Sequence, residues 1–184
     1  MERKLSKFED CFWHGLNGWL NYEPSQKEIE AIYYRFENIL KQKAILSRNK
    51  QIEKVKISDK DGDFINNKNH WYGSPLNDDD FISISKPGVK SRAYKGYIEA
   101  GISFPLDKKI LQLEQAPETT QTIDFGEIQI KDAVPLKLAK AVVMPFRIYK
   151  VRNCFDKNVL SSIMEKHNCK LPIYERDEIE IWNT

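Results

Sequence analysis

Glu127 is the residue of this chain whose setting most needs a reason. It stands in residues 123 to 146, IDFGEIQIKDAVPLKLAKAVVMPF. Ile123, Phe125, Ile128 and Ile130 keep a strand pattern with one break, and Ala141 to Met144 form an unbroken apolar run suited to a central strand. A carboxylate in such company either lies on a wet face or at a strand end, the usual place for Glu, or supplies fixed negative charge to a reaction. His14-Gly15 is the second candidate. An imidazole can donate and accept at once, and glycine lets another group come close to the backbone. Cys11, His14, His167 and Cys169 carry zinc's usual ligand types, but H-x-C is not a usual zinc spacing. Three cysteines make no even disulfide framework, so buried thiols in a reducing compartment, and no metal, are the expectation. Asp59, Asp61 and Asp63 alternate as calcium ligands do. Gly62, however, precedes the third acidic position, whereas an EF-hand loop has glycine directly after it, so a solvated turn is expected. Glu178 and Glu180 alternate on a strand and read as a solvated face.

Several elements must position these groups. Residues 8 to 16, FEDCFWHGL, read as an aromatic-rich strand ending at His14-Gly15. Ser25-Gln26-Lys27-Glu28 is a capping box. Behind it Ile29, Ile32, Tyr33, Phe36 and Leu40 form an apolar stripe that predicts an amphipathic helix to about residue 42. Tyr33 and Tyr34 belong to that helix and are read as structural. Residues 47 to 80 are polar, with one short strand expected near 55 to 57, and their length suits a lid or binding loop around Trp71. Phe81 to Ser85 alternates as a strand, 90 to 95 suits a short helix, and 97 to 104 is extended. Residues 114 to 122 form a polar loop leading to the Glu127 strand, expected to border the site and to be mobile. Val159, Leu160, Ile163 and Met164 predict a second helix over 157 to 166, with Asp156 as N-cap and Asn168 as its end. Residues 172 to 174 and 179 to 182 read as short edge strands.

Composition sets the frame. The chain has 184 residues, 41% hydrophobic and 30% charged, enough for one domain over 1 to 184 with its own core. Twenty-nine basic against 27 acidic residues give a net charge of +2, so no whole-molecule field would hold it on nucleic acid or an anionic membrane. The first fifteen residues hold no apolar h-region, and no window has 18 uninterrupted apolar residues. A soluble, cytoplasmic, monomeric protein without membrane contact is the expectation, with delivery into a target-cell cytosol as the alternative.

Three stretches, taken in order, resemble the catalytic domain shared by diphtheria toxin and the poly(ADP-ribose) polymerases, the H-Y-E class of ADP-ribosyltransferases. The first is FWHG at 12 to 15 with RFENILKQKAILS at 35 to 47. Here His14 and Gly15 match, while Leu16 stands where the family has a hydroxyl residue and Lys43-Ala44 where it has Gly-Leu. The second is ISISKPGVKSRAY at 82 to 94, in which Lys90, Ser91 and Tyr94 match. The third is GEIQIKDAVPLKLAKAVVMPF at 126 to 146, in which Glu127 matches. The resemblance implies an α+β fold of two packed, mostly antiparallel sheets forming an NAD cleft, with one long N-terminal and one C-terminal helix. It also implies that His14, Tyr94 and Glu127 converge on that cleft.

The resemblance further implies transfer of a single ADP-ribose from NAD to a macromolecular acceptor, as in a toxin or effector. Breaking the nicotinamide glycosidic bond develops cationic character on the ribose, which fixed negative charge stabilises. Glu127 would hold the ribose 2′-hydroxyl and offset that cation, and His14 would bind the adenosine ribose. Tyr94 would stack on the nicotinamide, and Ser91 and the Gly15 backbone would pair with its carboxamide. Phe125, two residues before Glu127, departs from the Glu or Gln of arginine-directed relatives, and a protein acceptor is favoured over nucleic acid. Two alternatives stay open. One is a catalytically silent protein-binding module, favoured by Leu16 and Lys43-Ala44. The other is a small nucleic-acid-binding domain using Lys90, Arg92, Lys95, Tyr94 and Tyr97 as a basic, stacking surface.

Overall fold

The expected first helix forms over Gln26–Gln42 (α1). It starts directly after Ser25, whose carbonyl accepts the amide of Ile29 at 3.1 Å. The stripe faces inward, with Ile29, Ile32, Phe36, Ile39 and Leu40 buried and Tyr34 exposed. Burial of that stripe, rather than propensity, is what holds a helix of this length in water. Lys43 then takes a left-handed φ of 56° and turns the chain out of the helix.

The computed structural model describes residues 2–5, 7–8, 10–16, 25–50, 80–85, 102–117, 127–144, 155–175 and 180–183. Its strands are β1 (Glu2–Leu5), β2 (Phe12–Gly15), β3 (Ala44–Leu46), β4 (Phe81–Ser85), β5 (Ser103–Leu106), β6 (Glu127–Lys131), β7 (Ala133–Pro135), β8 (Val142–Met144), β9 (Ile173–Glu175) and β10 (Glu180–Asn183). The class is α+β, as expected. The strands, however, form one six-stranded sheet, β6-β4-β2-β5-β8-β9, and two two-stranded ribbons, β1-β10 and β3-β7. The six-stranded sheet is antiparallel except for the parallel β8–β9 pair. The alternating segments FISIS and EIQIK pair over their full length, Phe81↔Lys131 to Ser85↔Glu127. Their isoleucines Ile82, Ile84, Ile128 and Ile130 thereby all enter one core cluster with the α1 stripe, while Phe81, on the alternate set of positions, is half-buried.

A second helix, α2 (Lys157–Lys166), has both predicted ends. Asp156 Oδ1 accepts the Asn158 amide at 2.7 Å. Beyond the helix Asn168 has φ 55°, the Cys169 amide donates to the Met164 carbonyl at 2.8 Å, and the Asn168 amide to the Glu165 carbonyl at 3.2 Å, which is a Schellman closure. Leu160 and Met164 join the core. The helices are tied by Tyr33, whose hydroxyl accepts the Asp156 amide at 2.7 Å, and by Glu37, which accepts from Lys166 Nζ at 2.9 Å and His167 Nε2 at 3.1 Å.

The start of the polar loop at 114 differs from expectation. Gln115 bridges Ile130, the Ala116 amide donates to the Gln129 carbonyl, and the Lys131 amide to the Glu114 carbonyl, both at 2.8 Å. Residues 114–116 thus cover the outer edge of β6, which would otherwise present unpaired backbone groups. The expected strand at 55 to 57, the turn at 58 to 63, the region around Trp71, the helix at 90 to 95 and residues 118 to 126 lie outside the described residues. Among those described, no helix is long and apolar enough to cross a membrane.

Candidate functional site

The register of the central strands decides which candidate residues share a face. Trp13 pairs with Ser85, and Ser85 pairs with Glu127. His14 pairs with Phe104, and Gly15 with Ser103. Glu127 therefore opens β6 in the row of Trp13, with β4 between its strand and that of His14 and Gly15. Two inter-strand spacings separate β6 from β2, roughly 10 Å. Successive rows belong to opposite faces of a sheet, so Glu127 stands in the set of rows that holds Trp13 and Gly15. His14 stands in the alternate set, with Phe104, Ile84 and Ile128.

The two faces differ in chemistry. The His14 face is the main core, covered by α1 and α2, and along the row of His14 stand Phe104, Ile84 and Ile128. His14 is only 3% exposed. Its Nδ1 lies 2.9 Å from the Ser83 carbonyl oxygen, which can only accept, so Nδ1 carries the proton. Nε2 is then an acceptor, buried and without a hydrogen-bond partner among the described residues. Burial, helped by the nearby Arg35 guanidinium on α1, pushes the imidazole down from 6.5 to about 4, against the opposing hydrogen bond to Ser83. His14 is therefore neutral at pH 7.

The other face is small and polar at its centre. Continuing the Trp13↔Ser85 register by two residues sets Gly15 beside Ser83, which pairs with Gln129. With Ser103 beyond Gly15, one row reads Gln129, Ser83, Gly15, Ser103 across four strands. Ser103 and Gln129 are buried, and each of the four is engaged by other groups of the chain. Further along, Trp13 packs with Ala141 and Val143 in a separate small cluster edged by Phe8 and Tyr174. Phe8 meets both rings edge-on, at centroid distances of 6.2 Å and 5.6 Å, and Lys7 Nζ sits 4.3 Å over Tyr174.

The structure thus groups Gly15 and Glu127 by row and sets His14 apart from them. Ser91 and Tyr94, with Lys90, Arg92, Lys95 and Tyr97, lie outside the described residues, in the segment that leaves β4 at Ser85. Ser83 stands where the resembling polymerases often have tyrosine, whereas nothing in the sequence marks Ser103 or Gln129 as site residues. Ser83 and Gln129 are polar members of the alternation in FISIS and EIQIK, on strands whose four isoleucines are buried. No three His, Cys, Asp or Glu residues among those described could together hold a metal ion. His167 instead engages Glu37, and Cys11, half-buried, has its thiol pushed up by burial. Compared with protein-family models and with curated proteins, the chain finds no match in either.

Proposed function

We propose that this chain is an NAD-dependent ADP-ribosyltransferase. It transfers a single ADP-ribose to a macromolecular acceptor, a protein in preference to nucleic acid, and releases nicotinamide. The observation that carries the reading is that Gly15 and Glu127 belong to the same set of rows, Gly15 within the polar row Gln129, Ser83, Gly15, Ser103 and Glu127 two residues from Gln129 on β6, opposite the main core face. In this reaction the C–N bond between ribose and nicotinamide breaks, and nicotinamide leaves with the electron pair. An acceptor nucleophile then bonds to the ribose carbon and gives up its proton. Glu127 binds the ribose 2′-hydroxyl and offsets the developing positive charge, an interaction stronger in the transition state than in the ground state. Gly15, with no Cβ in the way, lets the nicotinamide ring come close to β2. Ser91 and Tyr94, which follow β4 in the sequence, supply a hydroxyl to the carboxamide and a ring to the nicotinamide.

Labelled NAD tests this directly. The protein should release nicotinamide and label an acceptor, and Glu127→Gln should slow the chemical step by a factor on the order of 10² to 10³ with NAD binding little changed. Full turnover by that variant, if folded, refutes the assignment.

The catalytically silent module is the second reading. The observation in its favour is His14 itself, uncharged, enclosed in the apolar face and in the alternate row to Glu127. A folded wild-type protein that neither binds NAD nor releases nicotinamide would establish it. Salt-sensitive binding to single strands would point instead to the nucleic-acid reading.

A further inference from the structure

The joints of the six-stranded sheet are unequal. β4 and β6 share five register pairs and β2 and β5 share four, whereas among the described residues β5 and β8 share one, Ser103↔Val143, and β2 and β4 share one, Trp13↔Ser85. The second of these thin joints lies between Gly15 and Glu127. Beside it a side chain bridges the two strands: His14 Nδ1–H donates to the Ser83 carbonyl at 2.9 Å, a contact between residues 69 apart in sequence.

We infer that His14 is a positioning residue, whose imidazole closes the joint between β2 and β4 and thereby sets the spacing of Gly15 and Glu127 without touching a ligand itself. The bond acts through Ser83, which is in register with Gln129 on β6, so it fixes β4 and β6 together against β2. Only Nδ1 is needed for this. Nε2 is itself buried, so a ribose hydroxyl does not reach it in this arrangement of the chain. A side chain placed by a buried hydrogen bond to backbone is also well suited to fixing register, because the carbonyl loses a full partner if the donor is removed. The consequence for rate rests on the reading of Gly15 and Glu127 as the reacting site, while the structural part does not.

Substitutions that separate the two ring nitrogens test the inference. Asn carries a donor at the place of Nδ1, Gln at the place of Nε2, and Phe carries none. His14→Asn should keep amide exchange in β4 near wild type, whereas His14→Gln and His14→Phe should speed it about tenfold. In nicotinamide release, His14→Gln and His14→Phe should lose about 10²-fold in kcat with KM for NAD unmoved, as expected for a misplaced reacting group. His14→Asn should retain most of kcat. The opposite ranking, with Gln active and Asn raising KM at unchanged kcat, would assign His14 to NAD binding and overturn the inference. Equal β4 exchange in all four proteins would overturn it too. A wild-type protein that releases no nicotinamide refutes the proposed activity, and the exchange ranking then decides the positioning role alone.

Discussion

Acid should unfold this protein through His14 before it does so through any described carboxylate. The imidazole titrates near 6.5 in an unfolded chain and is pushed down to about 4 in the fold, so between those values the unfolded state binds the extra proton. Stability is complete above pH 6.5, falls as pH drops towards 4, and loses nothing more from this group below that. Each pH unit inside the window removes about 1.4 kcal/mol, so His14 costs roughly 3 kcal/mol by pH 4, a large part of the 5–15 kcal/mol of an ordinary domain. Because His14 is 3% exposed, solvent does little to screen the penalty. The assay is urea unfolding of wild type and His14→Asn at several values between pH 4 and 7.5. Asn keeps a donor for Ser83 but cannot take up a proton, so the difference between the two proteins isolates the imidazole. The carboxyls of Glu37, held down by its bonds to Lys166 and His167, and of Asp107, held down by the Lys109 amide and Lys140, lose their contributions only as pH falls below their ordinary values of 4.5 and 3.8. They also cancel in the comparison. Parallel pH profiles for the two proteins would refute a buried neutral imidazole at position 14.

Phe36, fully buried and stacked on Phe104 at 6.0 Å, joins α1 to the sheet; Phe36→Ala should cost about 3–5 kcal/mol in urea melts, against under ~0.5 for exposed Tyr34→Ala. Glu37→Gln should weaken the tie between α1 and α2 by about 0.5–1 kcal/mol, because the Lys166 partner is largely exposed, and raising salt should shrink the difference from wild type. Asn168→Gly should be neutral or mildly stabilising in thermal melts, while Asn168→Ala, forced to φ 55° with a methyl group, should lose about 1 kcal/mol.

Several parts of the architecture could be read along the chain because their determinants are local. The stripe from Ile29 to Leu40 needs only its own 3.6-residue period, Asp156 caps the amide two residues on, and Asn168 ends α2 by its own tolerance of left-handed φ. FISIS and EIQIK announced strands by their period of two. The charged strand β1, ERKL, announced nothing, since what makes it a strand is β10, nearly the whole chain away. Residues 114–116 likewise read as loop and are held in place by the edge of β6.

For the candidate site the division is sharper. Residue types alone marked Glu127, His14 and Gly15 as able to do chemistry, because a carboxylate, an imidazole and a missing Cβ bring that capacity wherever they are placed. Which of them can act together is a matter of register, and register joins residues 13, 85 and 127 through backbone pairing that no local pattern encodes. One residue of offset along β2 puts His14 with Phe104 in the core and leaves Gly15 in the rows of Glu127, because side chains alternate across a sheet. The sequence determined the groups available and the local elements that carry them. Only the tertiary structure decided that the imidazole is neutral, enclosed and bonded to the Ser83 carbonyl, because burial and a strand 69 residues distant set its proton and its partner.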